Sequence, residues 1–187
     1  VTGAIFLDRD GVLIENREDY VKDWAEVEFL PCTFAAMRTL KATGLPIVLV
    51  TNQSAVGRGI ITREFVEEVH DRMLAEVERN GGRIDAVYFC PHHPQEGCVC
   101  RKPSPGMLHQ AARDLQLDLQ ASFFVGDTAT DMEAAQAVGA TGILVLTGKG
   151  ATEAGKLAGS EMASLPIVAD LEAAAHWIVE RLESKRV

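Results

Sequence analysis

The chain has 187 residues, 47% of them hydrophobic and 24% charged, with a formal net charge of −9. A single domain over 1–187 is expected, because a chain of this length buries roughly 70% of its unfolded surface. The acidic balance excludes general attraction to nucleic acid or anionic membranes, and no apolar run reaches the roughly 20 residues of a bilayer span. The start, Val1 to Leu7, runs straight into acidic residues and does not read as a secretory signal. The expectation is a cytoplasmic monomer whose partner is a small molecule, and any anionic ligand requires cations gathered locally.

Strand and helix patterns alternate along the chain. Residues 3–8 form a short apolar run, and so do 46–51, 84–89, 122–126, 142–147 and, more weakly, 166–169. Such continuous β-branched runs predict strands buried on both faces, as in a parallel sheet. Helices are predicted between them. One ends at Gly44; the next opens at Thr62 and carries Phe65, Val66, Val69, Met73, Leu74 and Val77 on one face. Others cover about 105–116, 130–138 and 170–184. Residues 148–164 are rich in small side chains and are expected to be the most mobile part. The fold class is α/β, a doubly wound Rossmann-like parallel sheet.

In such a sheet, functional groups gather at the carboxyl ends of the strands. Three apolar runs end in polar residues: Asp8-Arg9-Asp10-Gly11, Thr51-Asn52-Gln53-Ser54 and Gly126-Asp127, with Asp131 one turn later. Carboxylates converging on one crevice repel unless a cation joins them, and a few hard oxygen ligands suit Mg²⁺ with retained waters. Thr51 and Asn52 offer a hydroxyl and an amide to an oxyanion. Arg101-Lys102-Pro103 brings an ammonium that balances charge beside a carboxylate nucleophile.

Three of the four cysteines fall within eleven residues. Cys90-x-His92 and Cys98-x-Cys100 supply three sulfurs and one imidazole, a donor set for a closed, structural tetrahedral zinc site in a loop at about 90–100. His93 stands beside His92 as an alternative ligand. Cys32 reads as a small buried side chain, and His70, His109 and His176 as surface or packing residues on helices.

Taken together, Asp8-Arg9-Asp10-Gly11, Thr51-Asn52, Arg101-Lys102 and Gly126-Asp127 with Asp131 resemble the four motifs of the haloacid dehalogenase superfamily of phosphatases. Tyr20-Val21, Cys90-Pro91-His92-His93-Pro94 and Cys98-Val99-Cys100-Arg101-Lys102-Pro103 resemble one branch, that of the heptose bisphosphate and histidinol-phosphate phosphatases. The resemblance implies that Asp8 is the nucleophile, forming an aspartyl phosphate. It makes Asp10 the acid and then the base, while Thr51 and Lys102 hold the phosphoryl group. Mg²⁺ is implied on the side chains of Asp8 and Asp127 and the main-chain oxygen of Asp10. Substrate contacts are implied for Asn16, Arg17, Asp19 and Tyr20, for Asn52, Gln53, Ser54 and Arg58, and for Arg101. The implied substrate is a heptose 1,7-bisphosphate that loses its 7-phosphate on the way to a nucleotide-activated heptose; the alternative is histidinol phosphate or another small phosphomonoester.

Two departures from the branch stand out. The loop at Asn16–Tyr20 is one residue longer than in some heptose enzymes, and Thr128 stands where many relatives carry a basic residue. The interval from Asp10 to Thr51 leaves no room for a large cap domain. A non-catalytic module on this fold has no need of all three carboxylates, and a receiver domain has no need of the paired Cys and His half-motifs.

Overall fold

The computed structural model describes residues 1–157, 162 and 164–184. Six parallel strands form one sheet in the order β3-β2-β1-β4-β5-β6. They are β1 (Ile5–Leu7), β2 (Ile47–Asn52), β3 (Ala86–Cys90), β4 (Phe123–Gly126), β5 (Thr141–Val145) and β6 (Ile167–Val168). The helices are α1 (Thr33–Ala42), α2 (Arg63–Arg79), α3 (Gly106–Leu115), α4 (Ala129–Ala137), α5 (Gly150–Leu157) and α6 (Leu171–Ser184). Every predicted strand and helix is present, with ends moved by one to a few residues. The interval from Asp10 to Thr51 holds a loop, one 3₁₀ turn and α1, and no large cap.

Alternation along the strands explains the two layers. Ile5 and Leu7 point to one face, where they pack with Ile47, Leu49, Met37, Met73 and Ile178. Phe6 points to the other and meets Val48, Val50, Leu108 and Phe124. The central strands are fully buried, so their near-continuous apolar sequence follows from having helices on both sides. Helix α2 forms where Thr62 Oγ1 accepts from Phe65 N–H (3.1 Å) and Val66, Val69, Met73 and Val77 make one buried stripe. Among the described residues no helix is long and apolar enough to cross a membrane.

The small-residue stretch 148–164 contains a helix that the sequence reading did not assign. Gly150–Leu157 is a helix that seats Leu157 against Met132 and Leu144; residues 158–161 and 163 of that stretch lie outside the described residues.

Strand order reverses at β1. The chain runs from β1 outward to β2 and β3, then returns to place β4 on the other side of β1. The crevice at such a switch point is where α/β sheets bind ligands. Asp8 follows β1 and Asp127 follows β4, and Leu7 stands in register with Val125. Two carboxylates far apart in sequence therefore meet at the mouth of one crevice.

Candidate active site

A cleft of about 470 Å³ opens over the carboxyl ends of β1, β2 and β4. Asp8, Asp10, Thr51, Lys102, Asp127 and Asp131 line it, together with Asn16, Arg17, Tyr20, Asn52, Gln53, Ser54, Arg58 and Arg101. All the residues expected at the reaction centre are thus in one place. Asp19 is the exception among the expected contacts. It is exposed, and its carboxylate pairs with Arg17 (3.2 Å) and Lys22 rather than facing the cleft.

Lys102 lies at the bottom, only 3% exposed. Its ammonium has three protons and three oxygen partners: Asp131 Oδ1 at 2.6 Å, Val50 O at 2.9 Å and Asp8 Oδ1 at 3.0 Å. Burial works against the charged form, but Asp131 and Asp8 outweigh it and raise the lysine above its ordinary pKa. Asn52 fixes the lysine backbone, its Oδ1 accepting from Lys102 N–H and its Nδ2 donating to Lys102 O, both at 3.1 Å. One of its two amide protons is therefore engaged in placing Lys102. Gln53 is engaged likewise: Nε2 donates to Thr51 Oγ1 (2.8 Å) and Asp10 Oδ2 (3.0 Å), and Oε1 accepts from Arg9 (2.8 Å). Since Thr51 accepts from Gln53, its own hydroxyl proton remains available to the cleft.

Asp8, Asp127 and Asp131 each offer an oxygen within 4.8 Å of the others. Both hydrogen-bonding contacts of Asp8, from Arg9 N–H (2.7 Å) and Lys102, fall on Oδ1, and Oδ2 has no partner among the described residues. Burial chiefly, and then Asp131, Asp127 and Asp10 acting against Lys102, push Asp8 up to about 7. Burial also raises Asp127 to about 6, although Lys149 N–H bonds its Oδ2 at 2.8 Å. A divalent cation between these two acids would let both ionise. Both oxygens of Asp131 are already occupied, Oδ1 by Lys102 and Oδ2 by Thr128 N–H (3.1 Å) and Oγ1–H (2.7 Å). Asp8 and Asp127 are left as the side chains free to ligate. The backbone is shaped around Asp127: a Cβ at Gly11 or Gly148, both at positive φ, would stand 2.1 or 2.3 Å from its Oδ2.

A HAD-hydrolase-like family model matches residues 99–174. A Pseudomonas putida protein named D-glycero-beta-D-manno-heptose-1,7-bisphosphate 7-phosphatase is 42% identical over 146 residues, 78% of this chain and 83% of its own. One of the same name from Yersinia pestis is 40% identical over 187 residues, 96% of this chain and 90% of its own. The chain belongs to this family of HAD-like phosphatases. The solved heptose bisphosphate phosphatase of Bordetella bronchiseptica, complexed with magnesium and phosphate, superposes with a TM-score of 0.90 at 35% identity, covering 96% of this chain and 99% of that one.

Beside the cleft of this family member lies the sulfur cluster. Sγ atoms of Cys90, Cys98 and Cys100 stand 3.3–3.5 Å apart, and His92 Nδ1 is 3.1 Å from Cys100 and 3.5 Å from Cys90. Zinc–sulfur bonds of about 2.3 Å imply tetrahedron edges of about 3.8 Å, so the four donors are nearly at ligand spacing. Burial foremost pushes the Cys90 thiol up to about 12, so a thiolate at Cys90 needs a cation beside it. The choice between neighbouring histidines is resolved by the loop. His93 turns away and its Nδ1 accepts from Gln95 N–H (3.2 Å), capping a 3₁₀ turn at Pro94–Glu96.

Some cleft residues had been given no role from the sequence. Lys149 and Thr130 line the wall beside Thr128, and Arg9 is buried behind Asp10. Lys149 puts a cation on the wall where Thr128 lacks one. Its only sequence signal is Gly148-Lys149-Gly150, a small-residue turn with no apolar periodicity.

A pH test follows from the two raised acids. Asp8 and Asp127 hold protons more tightly folded than unfolded, so without metal stability falls as pH rises between about 4 and about 7. Urea denaturation without added Mg²⁺ measures that fall. Mg²⁺ should add clearly more stability at about pH 8 than at about pH 5; equal gains would contradict a cation site on these carboxylates.

Proposed function

We propose that this phosphatase removes the 7-phosphate of D-glycero-D-manno-heptose 1,7-bisphosphate through a phospho-aspartate on Asp8. Asp8 Oδ attacks phosphorus as the bond from phosphorus to the sugar oxygen breaks, and Asp10 gives that oxygen its proton. Asp10 then takes a proton from water, whose oxygen attacks phosphorus. The bond to Asp8 breaks and inorganic phosphate leaves. Two easier displacements replace one difficult hydrolysis. Thr51 O–H binds a phosphoryl oxygen, while Lys102 holds Asp8 in line and offsets its charge. Asp8, Asp127 and the main-chain oxygen of Asp10 would hold Mg²⁺, which would supply the positive charge that lets the anionic nucleophile approach the phosphate.

The observation that favours a bisphosphate is Arg101. It lines the same cleft as Asp8, yet its Nη1 is buried without a hydrogen-bond partner among the described residues. A buried guanidinium nitrogen left unpaired is costly, and an anion is its natural complement. Arg58 and Lys149 border the same space. A substrate with a second phosphate answers this array better than a monophosphate does, and the names of the heptose bisphosphate relatives agree with that choice. Asn16, Arg17, Tyr20 and Ser54 are proposed as sugar contacts.

Phosphate release with Mg²⁺, compared across heptose 1,7-bisphosphate of each anomer, histidinol phosphate and hexose monophosphates, tests the reading. The bisphosphate should win in kcat/KM by about 100-fold or more, in line with a buried charge-assisted contact; equal rates on monophosphates would reject it. Asp8→Asn should lose about 1,000-fold or more in kcat while remaining folded by circular dichroism. Near-normal phosphate release by that variant would rule out the covalent route.

Zinc is proposed for Cys90, His92, Cys98 and Cys100, where it fixes the loop that delivers Arg101 and Lys102. The wild type should carry about one zinc per chain by elemental analysis, and Cys98→Ser should lose metal and several kcal/mol of stability, about the scale of a ligand's share in a structural site. Unchanged zinc content in that variant would remove the assignment.

A further inference from the structure

Outside the cleft, α2 carries a buried histidine that the chemistry above does not use. His70 is 3% exposed, set edge-on to Phe89 at 5.5 Å between ring centres. Its Nε2 lies 3.3 Å from Arg9 Nη1. A guanidinium only donates, so this contact is a hydrogen bond when Nε2 is the bare acceptor and the ring is neutral. Burial first, then the charge of Arg9, drive the His70 pKa down to about 3 against the pull of Asp10. The ring therefore stays an acceptor throughout the neutral range.

Arg9 is itself buried, and it is the link. Nε donates to Asp10 Oδ2 and Nη2 to Asp10 Oδ1, each at 3.1 Å, the parallel two-bond geometry that locks a carboxylate plane. Nη2 also reaches Gln53 Oε1 at 2.8 Å. Those three bonds lie on two sides of the guanidinium, and His70 anchors the remaining nitrogen, Nη1, from α2. Removing that anchor leaves a buried donor unpaired and lets the fork pivot, and the Asp10 carboxylate moves with it.

We propose that His70 is a positioning residue for Asp10, acting through Arg9 from outside the cleft. The proposal rests on the reading of Asp10 as the proton-transfer group. His70 borders a separate groove between α2 and β3, so it touches neither substrate nor metal. Its effect falls on the proton-transfer steps and leaves substrate binding alone.

The test compares His70→Phe, which keeps a packed ring but has no acceptor, with His70→Gln, which restores an acceptor oxygen. Phosphate release from heptose 1,7-bisphosphate is measured for both, with Asp10→Asn and the double variant His70→Phe/Asp10→Asn alongside. His70→Phe should lower kcat about 10- to 100-fold, the scale of a misplaced catalytic group. KM and the Mg²⁺ half-saturation should stay within about twofold of wild type. His70→Gln should recover most of kcat, and the double variant should be no slower than Asp10→Asn alone, because the two act as one unit. The proposal is overturned by a normal kcat in His70→Phe, by a loss confined to KM, by equal damage in His70→Gln, or by a further fall in the double variant. Near-normal turnover by Asp10→Asn would instead sink the reading of Asp10, and this inference with it. If His70→Phe does not fold, His70→Met against His70→Gln makes the same comparison at equal side-chain length.

Discussion

The ammonium of Lys102 holds the reaction centre together. It joins the carboxylates that follow β1 and open α4 to the carbonyl of Val50 in β2. Taking a lysine out of water costs several kcal/mol, and only near-complete pairing offsets that. Here each of its three protons has an oxygen, and the face of Phe124 lies 5.4 Å away. Removing either the cation or one of its carboxylates would leave a buried charge unanswered, at a cost of about 3–5 kcal/mol. The elements around the crevice are thus tied by electrostatics at the point where the fold itself has an opening.

That arrangement explains why neighbouring segments are built as they are. Lys102 reaches the crevice from the loop between β3 and α3, which has little apolar surface to anchor it. Asn52 grips its backbone with two hydrogen bonds, and the Cys and His cluster closes the loop just before it. One cation does not balance Asp8, Asp127 and Asp131, and burial chiefly, with the neighbouring carboxylates adding to it, raises the first two. A divalent ion and a lysine together would neutralise what neither does alone. The outer surface is acidic, but Arg17, Arg58, Arg101 and Lys149 gather around the cleft, where a low-dielectric wall makes each cation count for more.

Much of this was legible in the sequence, and the reason is local. Buried parallel strands have to be apolar throughout, so their ends are marked by the first polar residue, and the switch-point rule turns those ends into one site. Asp8, Thr51 and Asp127 were found that way. The Cys and His half-motifs were legible because few other arrangements place four soft donors in one short loop. Helix α5 was not, since Gly150–Leu157 is built mostly of small residues and among them only Gly150 and Leu157 are buried, and Lys149 was hidden with it. Asp19 was drawn toward the cleft by its place in a loop, although its carboxylate is satisfied outside by Arg17 and Lys22.

What stayed hidden is of another kind. Asn52 and Gln53 look like simple ligand donors in sequence, and His70 looks like any histidine on a helix. Their roles depend on hydrogen bonds that span 50 residues from Asn52 to Lys102, 44 from Arg9 to Gln53 and 61 from Arg9 to His70. No periodicity encodes such a bond, because it is set by which buried donor needs which acceptor after the layers have packed. Arg9 shows the logic. A guanidinium brought to 3% exposure has five protons to place, and the sheet end supplies only Asp10 and Gln53. The next acceptor has to come from the helix lying over it. A buried residue with unmet hydrogen-bonding demand thereby recruits a partner from a distant element, and the group it holds, Asp10, inherits the rigidity of that element.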